Sequence, residues 1–151
     1  MTLRRKFNGA KMYTEAWAAR GKMIRSKRQE VRNLIQSFKD LTVYRRSYEA
    51  AISVYRMTSV LPREELYGLT SQLKRAATSI PLNIAEGYGK RENANEFKRF
   101  LLMAIGSCDE MKVLVDMCKD LGFIEERAHR KYEQEYDEIG KMLMVLRARW
   151  K

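Results

Sequence analysis

The sequence predicts an all-α fold: an antiparallel up-down-up-down four-helix bundle with a basic N-terminal extension. Three observations predict it. Apolar residues recur at three- and four-residue steps in four long segments. Only two prolines interrupt 151 residues, and proline is the residue that most disrupts a helix. No stretch shows the strict polar–apolar alternation of a strand, and four long helices joined by short loops are typical of such a bundle.

The first helix is predicted over residues 41–60. Asp40 or Thr42 can cap its N-terminus, and Pro62 ends it. Its apolar residues recur on one side of a helix, so we expect them to face the core. This predicted stripe consists of Leu41, Tyr44, Tyr48, Ala51, Ile52 and Tyr55.

The second helix is predicted over residues 66–88. Pro81 lies inside it and predicts a kink, because proline has no amide to bond the carbonyl of Ala77. Gly87 and Gly89 are expected to stop the helix. Its predicted core stripe consists of Leu66, Leu69, Leu73, Ala76, Ile80 and Ile84.

The third and fourth helices are predicted over residues 93–121 and 125–149. Asn93 or Asn95 can cap the third helix, and Gly122 ends it. The core residues expected in the third are Phe97, Phe100, Leu101, Ala104, Ile105, Cys108, Met111, Val115 and Cys118, and those in the fourth are Tyr132, Tyr136, Ile139, Met142, Leu143 and Leu146.

Charge divides the chain into a basic arm, residues 1–37, and a bundle domain, residues 38–151. The arm holds ten Lys or Arg and two acids, a net charge of +8, whereas the other 114 residues hold 20 basic and 17 acidic side chains, a net charge of +3. A weak helical pattern around residues 16–24 and another at 28–38 indicate a partly ordered arm. A start at Met23, with the upstream residues an artefact of gene calling, is the alternative.

The residue types that catalysis requires are scarce. The one histidine, His129, is expected to be an exposed surface residue. No zinc spacing, catalytic residue or cofactor motif is present, and Glu126 with His129 supplies only one of the Glu-x-x-His pairs that a di-iron site needs. Cys108 and Cys118 would lie roughly 15 Å apart along one helix, too far for a disulfide. Reduced cysteines and the lack of a signal peptide favour a cytoplasmic protein. The lack of an apolar run of about 20 residues argues against a membrane protein, and the missing catalytic residues argue against an enzyme.

One motif is specific. It comprises Leu-Tyr-Gly-Leu-Thr-Ser-Gln-Leu at 66–73 and Ser-Ile-Pro-Leu-Asn-Ile-Ala-Glu-Gly at 79–87, followed by Glu-Phe-Lys-Arg-Phe-Leu at 96–101 and Lys-Asp-Leu-Gly-Phe-Ile at 119–124. From about Phe38 to Arg147 the chain resembles the four-helix bundle proteins encoded in intervening sequences of bacterial 23S rRNA genes. One departure is Tyr44, where that family often has tryptophan.

The resemblance implies a homopentameric ring. It also implies a relationship to the accessory proteins of diversity-generating retroelements, which are basic pentamers that bind nucleic acid and a reverse transcriptase. The family's ribosomal label reflects gene location and is no evidence of a place in the ribosome.

Four residues of the motif, Pro81, Asn83, Glu86 and Gly87, are interpreted as structural. Asn83 is expected to bond the free carbonyl of Ala77 or a neighbouring helix. Glu86 lies unfavourably near a helix C-terminus, so we expect a basic partner, either Arg75, Arg99 or a residue of a neighbouring subunit.

Two functions compete. The first is nucleic-acid binding, with RNA as the expected ligand, because basic side chains neutralise phosphates and release counterions. The second is a homo-oligomeric scaffold that recruits a protein partner such as a reverse transcriptase, since several aromatic residues lie outside the predicted stripes. The candidate nucleic-acid-binding residues are Arg25, Lys27, Arg28, Arg45, Arg46, Lys74, Arg75, Lys90, Arg91, Lys98 and Arg99.

Overall fold

Helices are the only regular secondary structure in the part of the chain that the structure describes, which confirms the all-α prediction. The structure is a computed structural model, and it describes residues 15, 17–26, 35–65 and 68–151. The chain divides into two units, Met1–Gln36 and Ser37–Lys151.

The first unit is helical over residues 17–26, close to the weak pattern in the sequence. The helix expected over 28–38 falls mostly outside the described residues. Where that segment is described, Gln36 and Ser37 are not helical. A short 3₁₀ helix, Phe38–Asp40, follows and is closed by a capping box between Ser37 and Asp40.

The second unit contains four long helices: α1 (Thr42–Thr58), α2 (Leu69–Gly89), α3 (Ala94–Asp120) and α4 (Glu126–Arg149). A short 3₁₀ helix, Arg63–Glu65, lies between the first two. Each bound lies within three residues of its predicted position. Asn93 caps α3 as expected, with its side chain accepting from the amides of Asn95 and Glu96. The N-cap of α1 is Leu41, which offers no side-chain bond, so the expected caps Asp40 and Thr42 are wrong.

The core face of α1 differs from the predicted stripe. Tyr48, Ile52 and Tyr55 are 52%, 38% and 45% exposed. Ser47 and Thr58 are buried instead, and their hydroxyls donate to the carbonyls of Tyr44 and Tyr55 at 2.8 and 2.9 Å, which removes the cost of burying them. The buried residues of α1 are Val43, Ser47, Ala50, Ala51, Val54 and Thr58.

The core stripe of α2 is confirmed from Leu69 onward, since Leu73, Ala76, Ile80 and Ile84 are fully buried. Leu66 lies outside the described residues. The helix continues through the buried Pro81 to Gly89, so Gly87 does not stop it. A methyl group on Gly87 would lie 2.5 Å from Phe100 Cβ and 2.9 Å from Phe97 Cδ2. The residue is glycine because α3 passes against the backbone of α2 at this point.

The predicted core of α3 and α4 is largely confirmed. Phe97, Leu101, Met111, Tyr136 and Leu143 are among the most deeply buried side chains. Three predicted members, Ile105, Met142 and Leu146, are only half-buried, and Leu114 is a buried residue that the pattern missed.

Consecutive helices pack against each other, and α1 also contacts α4. On α2 and α3, Arg75 pairs with Glu110, and Ser79 Oγ lies 2.8 Å from Ser107 Oγ. On α3 and α4, His129 Nε2 lies 2.6 Å from Asp116 Oδ1, and Lys119 Nζ lies 2.9 Å from Glu126 Oε2. On α1 and α4, Ser53 Oγ lies 2.9 Å from the hydroxyl of Tyr132.

We expect Gly87→Ala to destabilise the protein by about 1–3 kcal/mol, because the added methyl overpacks the contact with Phe97 and Phe100. Gly89→Ala is the matched control in the same helix, since a methyl there meets nothing within 4 Å. Urea denaturation measures both. Equal stability of the two variants would contradict a close approach at Gly87.

Candidate nucleic-acid interface

Only one of the three arm candidates is placed by the structure. Arg25 is exposed near the end of the helical residues 17–26. Lys27 and Arg28 lie outside the described residues, so their candidacy stays a prediction.

The basic pair on α1 is divided between two roles. The guanidinium of Arg46 donates twice to Glu135 on α4, from Nε to Oε1 at 2.6 Å and from Nη2 to Oε2 at 3.1 Å, and it also pairs with Glu138. The hydrogen bond to Glu135 is the main cause that raises the pKa of Arg46 above its usual range. Arg45 is exposed and has no side-chain partner among the described residues. Arg46 therefore ties α1 to α4, and Arg45 remains available to a ligand.

The pair on α2 also has internal partners. Arg75 pairs with Glu110 on α3 and donates to Gln72 Oε1 at 2.7 Å. Lys74 is half-buried, with its Nζ 5.1 Å from the ring centroid of Tyr55, a cation–π geometry. Its ammonium forms no salt bridge within the described residues.

The remaining two pairs lie where α2 ends and α3 begins. Lys90 pairs with Glu86 at 3.1 Å, and Arg91 donates to the carbonyl of Tyr88 at 3.1 Å. Arg99 bonds Glu96 at 3.1 Å, and this bond lowers the pKa of the Glu96 carboxyl. Both Lys90 and Arg99 also lie over the ring of Phe100, at 4.4 and 4.8 Å.

Lys98 lies in the same region, and Lys90, Arg91, Lys98 and Arg99 are together called the cationic end. Lys98 is half-buried and has no side-chain partner in the described part of the chain. Of the eight body candidates, five are thus engaged in ion pairs or carbonyl bonds and one in a cation–π contact, whereas Arg45 and Lys98 are unengaged.

The polar residues of the motif bond within their own helix. Asn83 Nδ2 donates to the carbonyl of Ser79 at 2.8 Å and to its hydroxyl at 3.0 Å, so the expected bond to Ala77 is wrong. Glu86 pairs with Lys90 and not with Arg75 or Arg99. One turn separates residues four apart on a helix, and that short reach favours the local partner.

The histidine and the cysteines occupy the interior. His129 is only 6% exposed, which corrects the prediction of a surface residue. The carboxylate of Asp116 on α3 lies against its Nε2. Its Nδ1 has no hydrogen-bond partner within the described part of the chain. Burial raises the pKa of the thiols of Cys108 and Cys118 to about 12 and about 11. Both thiols are therefore protonated and poorly nucleophilic near neutral pH.

Two surfaces were missed by sequence reasoning. The first, here called the tyrosine face, comprises Tyr48, Ile52 and Tyr55 on α1. Its large residues recur at helical spacing, as core residues do, so the sequence pattern placed them in the core. A second stripe of smaller apolar residues around Val43 and Val54 is the signal that could have identified the buried face of α1.

The second surface, here called the outer ridge, runs along the exposed side of α3. It consists of four exposed residues at helical spacing: Leu102, Gly106, Val113 and Met117. A methyl group on Gly106 would meet nothing within 4 Å.

Comparison with known proteins identifies the family. The model of the family described as 23S rRNA-intervening sequence protein matches residues 39–145, more than half of the chain. The chain belongs to this family. No curated protein matches this intervening-sequence family member.

One solved structure similar to this family member is a protein of unknown function from the S23 ribosomal protein family of Bacteroides thetaiotaomicron. It is 22% identical, with a TM-score of 0.65, over 70% of this chain and 95% of the other. At that identity the likeness concerns the fold.

Two further findings bear on the class of site. Within residues 15, 17–26, 35–65 and 68–151, no three His, Cys, Asp or Glu gather to hold a metal ion. Over the same part of the chain, no helix combines the length and apolarity needed to cross a membrane.

The ion pairs of Arg46 make stability depend on pH. The hydrogen bond from Arg46 is the main cause that lowers the pKa of Glu138. A carboxyl whose pKa is lower in the folded state stabilises that state above its unfolded pKa, about 4.3, and loses this contribution as pH falls through the folded pKa. We expect Arg46→Gln to lower the melting temperature by a few degrees at neutral pH, and the difference from wild type to shrink below about pH 4.

Lys141→Gln is the control for this prediction, because it removes an exposed pair with Asp137 within one helix, and such pairs contribute little. Calorimetry at a series of pH values measures both variants. A wild-type advantage over Arg46→Gln that is as large at pH 3 as at pH 7 would show that these carboxylates are not responsible.

Proposed function

We propose that this family member is a non-enzymatic, homo-oligomeric antiparallel four-helix bundle that binds nucleic acid, with RNA as the ligand. The observation that carries the proposal is the distribution of charge, with a net +8 in the first 37 residues against +3 in the rest. The arm supplies most of the attraction for phosphate, and unengaged body cations such as Arg45 and Lys98 extend it.

The contacts between helices support the antiparallel up-down-up-down order. From Arg75 through Ser79 to Gly87, the partners on α3 run backwards from Glu110 through Ser107 to Phe100 and Phe97. The contacts of α4 with α3 and with α1 also run in opposite chain directions.

The chemistry of the interior supports a non-catalytic role. The protonated thiols of Cys108 and Cys118 are poor nucleophiles. The hydroxyls of Ser79 and Ser107 bond to each other and not to a base. A cytoplasmic location agrees with both cysteines being free, since disulfides are rare in that compartment.

The outer ridge supports self-association. The number of copies, five in a ring, is what the family resemblance implies. A glycine inside a helix costs about 0.5–1 kcal/mol relative to alanine, and the packing of this chain does not require Gly106. A second copy that approaches α3 closely would explain both the glycine and the exposed Leu102, Val113 and Met117 on the same side of the helix.

The same ridge also favours the second candidate function, a scaffold that recruits a protein partner. The partner that the resemblance indicates is a reverse transcriptase, because the family resembles the accessory proteins of diversity-generating retroelements, which bind one. Exposed apolar patches serve either kind of protein interface. Deletion of residues 1–37 distinguishes the two functions: loss of RNA binding with the oligomer retained favours nucleic-acid binding, and loss of assembly favours the scaffold.

For nucleic-acid binding, we expect the full chain to bind RNA with an affinity that falls as salt rises. Neutralising Arg25, Lys27 and Arg28 together with glutamine should weaken binding at low salt. The log–log salt slope should become shallower by about 2, since each phosphate contact on a single strand contributes about 0.7. Filter binding across a salt series measures both quantities.

A variant with Arg127→Gln, Lys131→Gln and Arg147→Gln on α4 removes the same three charges from exposed positions. It is the control for nonspecific loss of charge and should weaken binding less than the arm variant. A wild-type protein that fails to bind RNA at low salt, or binds it with no salt dependence, would refute the proposal.

For self-association, we expect Val113→Glu combined with Met117→Glu to reduce the assembly to monomers, because each copy would bury unpaired carboxylates in the interface. Leu82→Glu, at an exposed apolar position on α2, is the control and should leave the mass unchanged. Light scattering gives the mass of each variant. A wild type that is monomeric at tens of micromolar would contradict self-association and would also remove the homo-oligomeric scaffold.

A further inference from the structure

The tyrosine face offers two exposed aromatic rings on one side of α1. Tyr48 and Tyr55 are seven residues apart, which is two helical turns or about 10 Å along the axis. About half of each residue is exposed, so packing against the described residues does not account for these large rings. Exposed rings at regular spacing provide surfaces on which flat ligands stack.

Neighbouring aromatic residues hold one of these rings in place. The ring of Tyr44 is stacked on that of Tyr48, with centroids 6.3 Å apart and planes 26° apart. The rings of Phe38 and Tyr44 meet edge to face, with centroids 4.8 Å apart. Tyr48 therefore has an aromatic neighbour that restricts its ring, and such restriction lowers the entropy lost on binding.

Cations surround the rings. Lys74 lies over the ring of Tyr55. Arg45 and Arg56, on α1 beside the tyrosines, are exposed and have no side-chain partner among the described residues. Glu49 is the only acid in the sequence of α1, so this side of the helix carries more positive than negative charge.

We propose that the tyrosine face binds unpaired nucleotides of a nucleic-acid strand, with bases stacked on Tyr48 and Tyr55 and phosphates next to Arg45, Arg56 and Lys74. The inference rests on the proposed nucleic-acid function and assigns it a site and a strand class. Stacking on aromatic rings within a basic groove is a general mode of single-strand binding.

Charge favours this ligand over a second protein surface. An apolar partner packed on the two rings would take neighbouring cations out of water without a counter-charge, which is costly. A nucleic-acid strand brings a phosphate for each base that it stacks. The outer ridge, by contrast, presents apolar side chains that a protein partner can cover.

The test compares two double variants of the full chain. In Tyr48→Leu with Tyr55→Leu the side chains remain apolar but cannot stack, whereas Tyr48→Phe with Tyr55→Phe keeps both rings. We expect the leucine variant to bind a single-stranded oligonucleotide about 25-fold more weakly, or about fivefold for each ring, at the lower end of measured stacking contributions. The phenylalanine variant should bind within about twofold of wild type, because it keeps both rings.

The probes are a single-stranded RNA, the DNA strand of the same sequence and the RNA duplex, each followed by fluorescence anisotropy. Duplex binding should change little in the leucine variant, because paired bases cannot stack on side chains. Weakened binding to either single strand, with duplex binding retained, supports the proposal.

A variant with stronger binding excludes misfolding as the cause. Glu49→Lys should tighten single-strand binding more than Glu133→Lys, a matched charge reversal at an exposed position of α4. Equal effects of these two reversals would count against a ligand at the tyrosine face.

The outcomes separate this proposal from the wider one. A wild type that binds none of the probes refutes the nucleic-acid function and the site together. A wild type that binds, with no loss in the leucine variant, overturns the site alone. A leucine variant that loses duplex and single-strand binding equally, with a fall in oligomer mass by light scattering, makes the tyrosine face a contact between copies and also overturns the site.

Discussion

The close approach of α2 and α3 at Gly87 is the constraint on which the rest of this structure depends. It places the backbone of α2 against Phe97 and Phe100, and Phe97 in turn meets the ring of Trp150 with centroids 4.6 Å apart. The segment that follows α4 is thereby fixed to the α2–α3 contact. Lys90, which follows α2, lies over Phe100 of α3 because of this same approach. Arg99 reaches the same ring from the neighbouring position of α3.

The structure uses most of the body's basic pairs to hold its helices and their ends together. Arg46 and Arg75 bridge between helices, whereas Lys90 and Arg99 each pair with a glutamate one turn away. A cation already paired with a carboxylate must lose that partner before it can bind a phosphate. The number of basic residues in a sequence therefore overestimates the binding surface, and exposed unpaired cations such as Arg45 are the more useful guide.

The two faces of α1 illustrate how a small fold separates stability from recognition. Its core side uses short side chains, including Ser47, whose hydroxyl is satisfied by its own helix. Its large rings, Tyr48 and Tyr55, are left at the surface. Burying large aromatic residues would stabilise a monomer more, so their exposure has a cost in folding free energy that a ligand or partner would offset.

The sequence alone determined the helical class, the approximate limits of all four long helices and the cores of α2 to α4, because apolar periodicity and glycine or proline breaks are local properties of the chain. Only the tertiary structure decided which face of α1 is buried, which cations are paired, and why Gly87 and His129 occupy their positions. Those features depend on atoms brought together from distant parts of the chain, such as Asp116 beside His129. Local pattern cannot encode such a pairing, since a helix with two plausible apolar faces is oriented only by the helices packed against it.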